Sequence, residues 1–322
     1  MTSRVRVVTP SRLHFGLLGW GPEFHRQFGG VGLMVDEPGI EILVETASAW
    51  EASGPLAERS LAVAVAVADR LSLEGFPVGP LRLTNLSVPP AHMGLGVGTQ
   101  LSLAVARALT ELAGMHRSPI DRLARLTSRG RRSGIGIHGF AEGGLIVDAG
   151  RRSPRDLPTK ILRLPFPPAW SVLIVLPKAQ PGLHGADESQ AFRALPSVPE
   201  ATSDRLCRLI LLGLLPGLLE TDLDAFGASL AEIQRIVGAE FAPVQGGRFG
   251  NPALEAVGSV MNRLGLQGVG QSSWGPTLYG FSDKPLGDRE EQLEALIQAF
   301  PRDVENVFWT KANQTGSLMF AG

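Results

Sequence analysis

The chain has 322 residues, 44% of them hydrophobic and 19% charged, enough for one large or two medium domains around a sizeable core. Its formal net charge of −1 gives no global field toward nucleic acid or an anionic membrane, while the arginines crowded between 122 and 155 are compatible with an anionic small ligand. A single cysteine, Cys207, excludes an internal disulfide framework and fits a reducing cytoplasm.

The first 15 residues hold no continuous apolar run of the signal-peptide kind. Residues 4–8 alternate and predict a strand, followed by a second strand broken at Pro10. A Gly/Pro-rich loop is expected over 19–32 and a strand over 40–46. Segment 56–73 contains AVAVAVA, whose period of two reads as strand. Alanine's helix propensity, with Glu58, Arg59, Asp69 and Arg70 at the ends, favours a helix there. A strand over 81–86 leads into PPAHMGLGVGTQ.

That loop places Gly94, Gly96 and Gly98 at alternate positions, which leaves room for a ligand against the backbone. Thr99 is the expected cap of the following helix. Unpaired N–H groups and the positive dipole end at such a terminus make an anion site, so the loop reads as a phosphate or diphosphate cradle. The alternative is a glycine turn feeding a buried helix. No Lys-Ser/Thr follows, so it is not a Walker loop, and the third glycine of a dinucleotide fingerprint is missing.

Beyond it, a short helix is expected over 119–128, a basic glycine loop over 129–138, and strands over 144–149 and 171–176. Segment 178–192 is polar and loop-like. Helices over 201–215, 223–237 and 252–264 follow, then a glycine loop at 268–275, a strand at 277–281, a helix at 289–300 and a strand at 303–311. The most apolar run, 206–219, contains Arg208 and Pro216 and falls short of the roughly 20 residues that span a bilayer. Strands dominate first and helices later, an α+β arrangement with a boundary inside 155–168. The expected domains are 1–160 and 161–322.

Four clusters carry candidate chemistry. Arg12 and His14 share one face of a strand and can line one pocket, unless they serve an edge-strand ion pair. Arg132, Ser133 and His138 make the second glycine loop polar and cationic, with His138 either a turn residue or a catalyst. Segment 181–188 brings His184, Asp187 and Glu188 together, and the two carboxylates suit Mg²⁺ carried by a diphosphate. Gln271, Ser272 and Ser273 offer neutral hydrogen bonds, while Trp274 presents a flat face to a ring or to the core.

Five segments in order (TPSRLHF, R-x-x-GGVGL from Arg26, HMGLGVGTQ, RSGIGIHGF-x-x-GG, and GQSSWGP) resemble the β-ribofuranosylaminobenzene 5′-phosphate synthases of tetrahydromethanopterin biosynthesis, a branch of the GHMP kinase superfamily. Kinases of that superfamily are similar in these segments, but carry lysine and asparagine where this chain has Arg12 and His14. They carry a proposed aspartate base where this chain has Gly136. The resemblance implies a two-domain fold, with an N-terminal β-α domain of left-handed-type crossover and a C-terminal ferredoxin-like α/β domain, and a homodimer. It also implies joining 5-phosphoribosyl 1-diphosphate to 4-hydroxybenzoate or 4-aminobenzoate, with loss of CO₂ and diphosphate and without ATP. Mg²⁺ is expected with the diphosphate. On that basis Gly94, Leu95, Gly96, Val97, Gly98, Thr99 and Gln100 are expected to hold the diphosphate. Arg12, Arg26 and Arg132 would share the 5′-phosphate and the carboxylate, with His14 or His138 on the leaving group.

Overall fold

The computed structural model describes residues 3–178, 182 and 185–322, with side chains outside 185–189 and 252. Strands β1 (Arg4–Gly19) and β2 (Phe28–Thr46) form a long antiparallel pair. Pro10 does not divide β1 into two strands as expected. It sits at a register shift between Thr9 and Ser11, where a bulge tolerates a residue that cannot donate a ladder bond. The loop expected over 19–32 is correspondingly shorter, since β2 already begins at Phe28.

The short β3 (Glu51–Ser53) and β4 (Leu81–Ser87) pair in parallel, and helix α1 (Ala57–Leu73) connects them, so propensity prevails over the apparent alternation of its alanines. Strands β5 (Leu145–Asp148) and β6 (Lys160–Leu164) extend the sheet from the first half of β2. The last strand, β11 (Leu318–Ala321), pairs with β1 on the other side. The first sheet thus has seven strands and takes one of them from the C-terminal end of the chain.

Helix α2 (Val97–Leu112) lies across this sheet and buries residues nearly all round, the mark of a central helix. It is enclosed by α1, α3 (Ile120–Leu126), α4 (Ile135–Glu142) and the β1–β2 face. The α4 segment corrects the expected loop over 129–138. Its residues from Ile135 to Phe140 are all buried, so the helix has no polar face to show a period, and its glycines read as loop in the sequence.

Strands β7 (Ser171–Pro177), β8 (Gln267–Gln271), β9 (Leu278–Ser282) and β10 (Val304–Thr310) form a second, antiparallel sheet in the order β10-β7-β9-β8. Between β7 and β8 run α5 (Gly185–Ala194), α6 (Glu200–Leu209), a π-helical turn (Ile210–Leu214), α7 (Leu215–Leu219), α8 (Leu223–Gln245) and α9 (Pro252–Arg263). Helix α10 (Leu286–Ala299) joins β9 to β10, which completes a ferredoxin-like connectivity. The α5 helix replaces the loop expected over 178–192. Glycines and charges there conceal a helix that buries Ala191, with Leu195 buried just past its end.

One apolar core runs from Val5 through α2 to Trp170, Phe226 and Phe281, so the two sheets share it. A smaller cluster under α9 and α10 includes Leu173, Val257 and Leu296. Among the described residues no helix is long and apolar enough to cross a membrane.

Candidate active site

A cleft of about 910 Å³ opens between the N-terminus of α2, the bulged part of β1, the loop before α4, α8 and the β8–β9 turn. Its shape follows from close approaches that only glycine permits. Gly94 has φ of +86°, and a Cβ there would stand 2.2 Å from the Ser272 carbonyl oxygen, so loop and turn touch backbone to backbone. A Cβ on Gly16 would stand 2.6 Å from Val237, which lets α8 close against β1.

Gly96, in the left-handed conformation, is the N-cap of α2. The expected cap, Thr99, instead lies inside the first turn, where its N–H donates to the Gly96 carbonyl at 2.9 Å. Gly94, Gly96, Val97, Gly98 and Thr99 line the cleft. Leu95 does not, being fully buried. Gln100 is also buried: it accepts from Thr9 at 2.6 Å and donates to the Gly136 carbonyl at 2.7 Å, locking α2 to β1 and α4.

Arg12 lies beside this loop. Its backbone N–H donates to Leu95 at 2.9 Å, and a Cβ on Gly96 would meet its side chain at 3.2 Å. Arg59 of α1 approaches from elsewhere, against Gly98. Arg129 donates through Nε and Nη2 to Ser102 Oγ at 3.2 and 2.9 Å, and Ser102 donates in turn to the Gly98 carbonyl at 2.7 Å. Arg131, Arg132 and Arg248 also line the cleft, and no carboxylate does among the described residues. Burial and the neighbouring Arg59 and Arg131 lower Arg129 to about 10.

His14 lines the cleft but is only 5% exposed. Burial, then the Arg12 charge, hold its pKa well below the usual range, so the ring is neutral at pH 7. Its Nδ1 accepts from the Gly16 N–H at 3.2 Å, which places the ring proton on Nε2. Ser133 lines the cleft and donates to Asp148, which also accepts from the Gly134 N–H at 2.9 Å and the Gly150 N–H at 2.8 Å.

The opposite wall is aromatic. Trp274 lies 4.5 Å from Phe241 and 5.4 Å from Phe192, centroid to centroid. The Arg132 guanidinium stands 4.7 Å over the Phe192 ring. Trp274 therefore packs against the core and faces the cleft at once. Gln271 and Ser273 line this end. Ser272 is wholly buried and joins the His14 backbone to Gly94.

Two other expected site residues are not brought to the cleft. His138 lies in α4, 9% exposed, with Nε2 donating to the Pro158 carbonyl at 2.8 Å. Arg26 donates to the carbonyls of Ala149 at 2.8 Å and Gly150 at 2.9 Å, and to Thr159 at 2.9 Å, so it ties the start of β2 to the end of β5. His184 and the side chains of Asp187 and Glu188 lie outside the described residues. Sequence reading gave no site role to Arg59, Arg248, Phe192, Phe241 or Gln234, which come from helices, or a helix end, far along the chain from the glycine motifs. Only the tertiary fold brings them in.

No family model matches the chain. Among solved structures it is similar over its whole length to a homoserine kinase from Cytophaga hutchinsonii (TM-score 0.71, 18% identity, 99% of this chain and 98% of that one). It is also similar to a mevalonate diphosphate decarboxylase from Staphylococcus aureus (TM-score 0.63, 14% identity, 99% and 98%). The fold is that of the GHMP kinase superfamily. Curated sequences are nearer: the β-ribofuranosylphenol 5′-phosphate synthase of Methanothermobacter thermautotrophicus is 33% identical over 306 residues, covering 89% of this chain and 92% of that one. The Archaeoglobus fulgidus synthase of the same name is 34% identical over 302 residues, covering 90% and 91%. The chain belongs to the β-ribofuranosylphenol 5′-phosphate synthase family, and it is an enzyme.

Proposed function

We propose that the chain joins 5-phosphoribosyl 1-diphosphate to 4-hydroxybenzoate with loss of CO₂ and diphosphate, as a step in tetrahydromethanopterin biosynthesis. The observation that carries this is one cleft that combines arginines gathered about a helix N-terminus with an aromatic wall, over which Arg132 also stands. The first suits phosphate groups and the second a benzoate ring. The relatives' product is named as a phenol, which favours 4-hydroxybenzoate over 4-aminobenzoate.

The C1–O bond of the phosphoribosyl donor breaks, its electron pair leaving with the diphosphate. The ring carbon bearing the carboxylate attacks C1, and the new C–C bond forms. The ring–carboxylate bond then breaks, its electron pair restores aromaticity, and CO₂ departs. This sequence calls for charge stabilisation and alignment rather than a strong base, in keeping with glycine at position 136. In this reading the Gly94–Thr99 backbone holds the diphosphate, while Arg12 and Arg132 share the 5′-phosphate and carboxylate. His14, neutral, donates from Nε2 to the leaving oxygen.

Mg²⁺ enters as the companion ion of the diphosphate. Among the described residues no cluster of carboxylates or histidines could hold it independently, and no step is assigned to it. The reading includes a cytoplasmic homodimer, which light scattering of the purified protein checks. Its central test is release of labelled CO₂ from carboxyl-labelled 4-hydroxybenzoate with phosphoribosyl diphosphate and no ATP. Release dependent on both substrates is expected. ATP turnover on a small alcohol without CO₂ release would replace this reading by a kinase.

A further inference from the structure

Arg59 stands in the first turn of α1, outside every motif that the sequence resemblance rests on. Its guanidinium lies so close over α2 that a Cβ on Gly98 would be 2.3 Å from Nη2. Ser102 fixes Arg129 next to it through the hydrogen bonds given above, and Ser102 is itself tied to the Gly98 carbonyl. The Arg59 side chain forms no hydrogen bond or ion pair with any described residue, and burial alone lowers its pKa. Two half-buried like charges stand together over the positive end of a helix. Such an arrangement is costly unless an anion joins it.

We infer that Arg59 and Arg129 form a clamp over the α2 N-terminus that binds the diphosphate of the sugar donor and distinguishes it from a monophosphate. This rests on the reading proposed above for the identity of the diphosphate as leaving group. Three considerations place the diphosphate here rather than the 5′-phosphate. It is the more highly charged of the two groups. It gains further charge as the C1–O bond breaks, where fixed positive groups act most strongly. The clamp also sits at the α2 end, and the aromatic wall that would hold the acceptor is formed by α8 and the β8–β9 turn.

The contact with Gly98 supplies a test that does not depend on deleting the arginine. Gly98→Ala adds a methyl group where the guanidinium lies and must push it aside. Alanine also suits a helix better than glycine, so the fold is kept. Binding of two probes, inorganic pyrophosphate and ribose 5-phosphate, is measured by calorimetry at one salt concentration for the whole protein, Arg59→Gln, Gly98→Ala and the double variant. The clamp predicts that Arg59→Gln and Gly98→Ala each weaken pyrophosphate by about tenfold or more while ribose 5-phosphate shifts by no more than about twofold. The double variant binds pyrophosphate no more weakly than Arg59→Gln alone, because the methyl group then has no guanidinium to displace.

Equal weakening of both probes, full additivity in the double variant, or pyrophosphate binding unchanged in Arg59→Gln would overturn the clamp. So would a wild-type protein that does not bind pyrophosphate. Failure of the functional reading is separate. There the wild type releases no CO₂, and pyrophosphate binding that depends on Arg59 would still establish the clamp for a different diphosphate substrate.

Discussion

The Ser272 hydroxyl donates to the Gly94 carbonyl at 2.6 Å while it accepts the His14 backbone N–H at 3.0 Å. One buried side chain therefore pins the glycine loop, the bulge of β1 and the β8–β9 turn to each other. Ser272→Ala leaves a donor and an acceptor unpaired in a dry site, at a cost of ~1–3 kcal/mol in stability. Because both partners border the cleft, activity should fall by more than stability does, read as a drop in kcat at temperatures where the variant is fully folded. Gly94→Ala should be harsher, since its Cβ would overlap the Ser272 carbonyl at 2.2 Å in a left-handed backbone. Circular dichroism melts and turnover of the two variants check this order.

Asp148 ties the arginine loop to β5. It accepts two backbone N–H groups, from Gly134 and Gly150, and the Ser133 hydroxyl. Burial outweighs these bonds and raises its pKa above 3.8. The folded state thus holds this proton to higher pH than the unfolded chain does. Its contribution to stability falls as pH rises from the unfolded value through the folded one, and is constant above it. Asp148→Asn removes that titration and points an amide N–H at a backbone donor. The variant should be less stable by ~1–3 kcal/mol. The gap between wild type and variant should narrow as pH rises through the carboxylate range. Denaturant unfolding of both proteins between acid and neutral pH measures it.

Much of this arrangement was legible in the sequence. The glycine loop, the alternation of Arg12 with His14 and the order of five motifs all act through local backbone, which the residues report directly. Helix α4 was not legible, because Gly134, Gly136 and Gly139 read as loop punctuation. Gly134 and Gly139 in fact allow close approaches, and a Cβ on Gly139 would stand 2.2 Å from Met34 Sδ. Arg26 and His138 carry polar groups that suit a site equally well in the sequence, but the fold gives their hydrogen bonds to backbone carbonyls. Arg59 and Phe241 could not be found from spacing, since tertiary packing alone brings α1 and α8 to the cleft.

His14 provides a second pH test, of opposite sign. Its pKa lies well below 6.5 in the folded protein, chiefly through burial. The unfolded chain therefore takes up a proton first as pH falls, and stability is lost from about pH 6.5 downward through the folded value. His14→Gln keeps a neutral donor and abolishes this loss, so its stability should be flatter over the same window. The pH profile of kcat in the wild type should show no group titrating near 6.5 that disappears in His14→Gln. If one disappears, the ring is charged in the working enzyme and its role as a neutral donor is wrong.

Trp274 faces the cleft while packed against Phe241, tilted, and Phe192, edge-to-face, so its removal confounds binding with packing: Trp→Ala in a core costs ~3–5 kcal/mol. Trp274→Phe keeps an aromatic face against both neighbours but presents a smaller surface to the cleft. The proposed benzoate ring should then bind more weakly, with KM for 4-hydroxybenzoate rising about tenfold for each ~1.4 kcal/mol of lost contact. The KM for phosphoribosyl diphosphate should stay close to that of the wild type, because its anions are held at the arginine end. Steady-state kinetics with each substrate varied in turn separates the two. A rise confined to the phosphoribosyl donor would move the aromatic acid away from Trp274 and reverse the orientation of both substrates in the cleft.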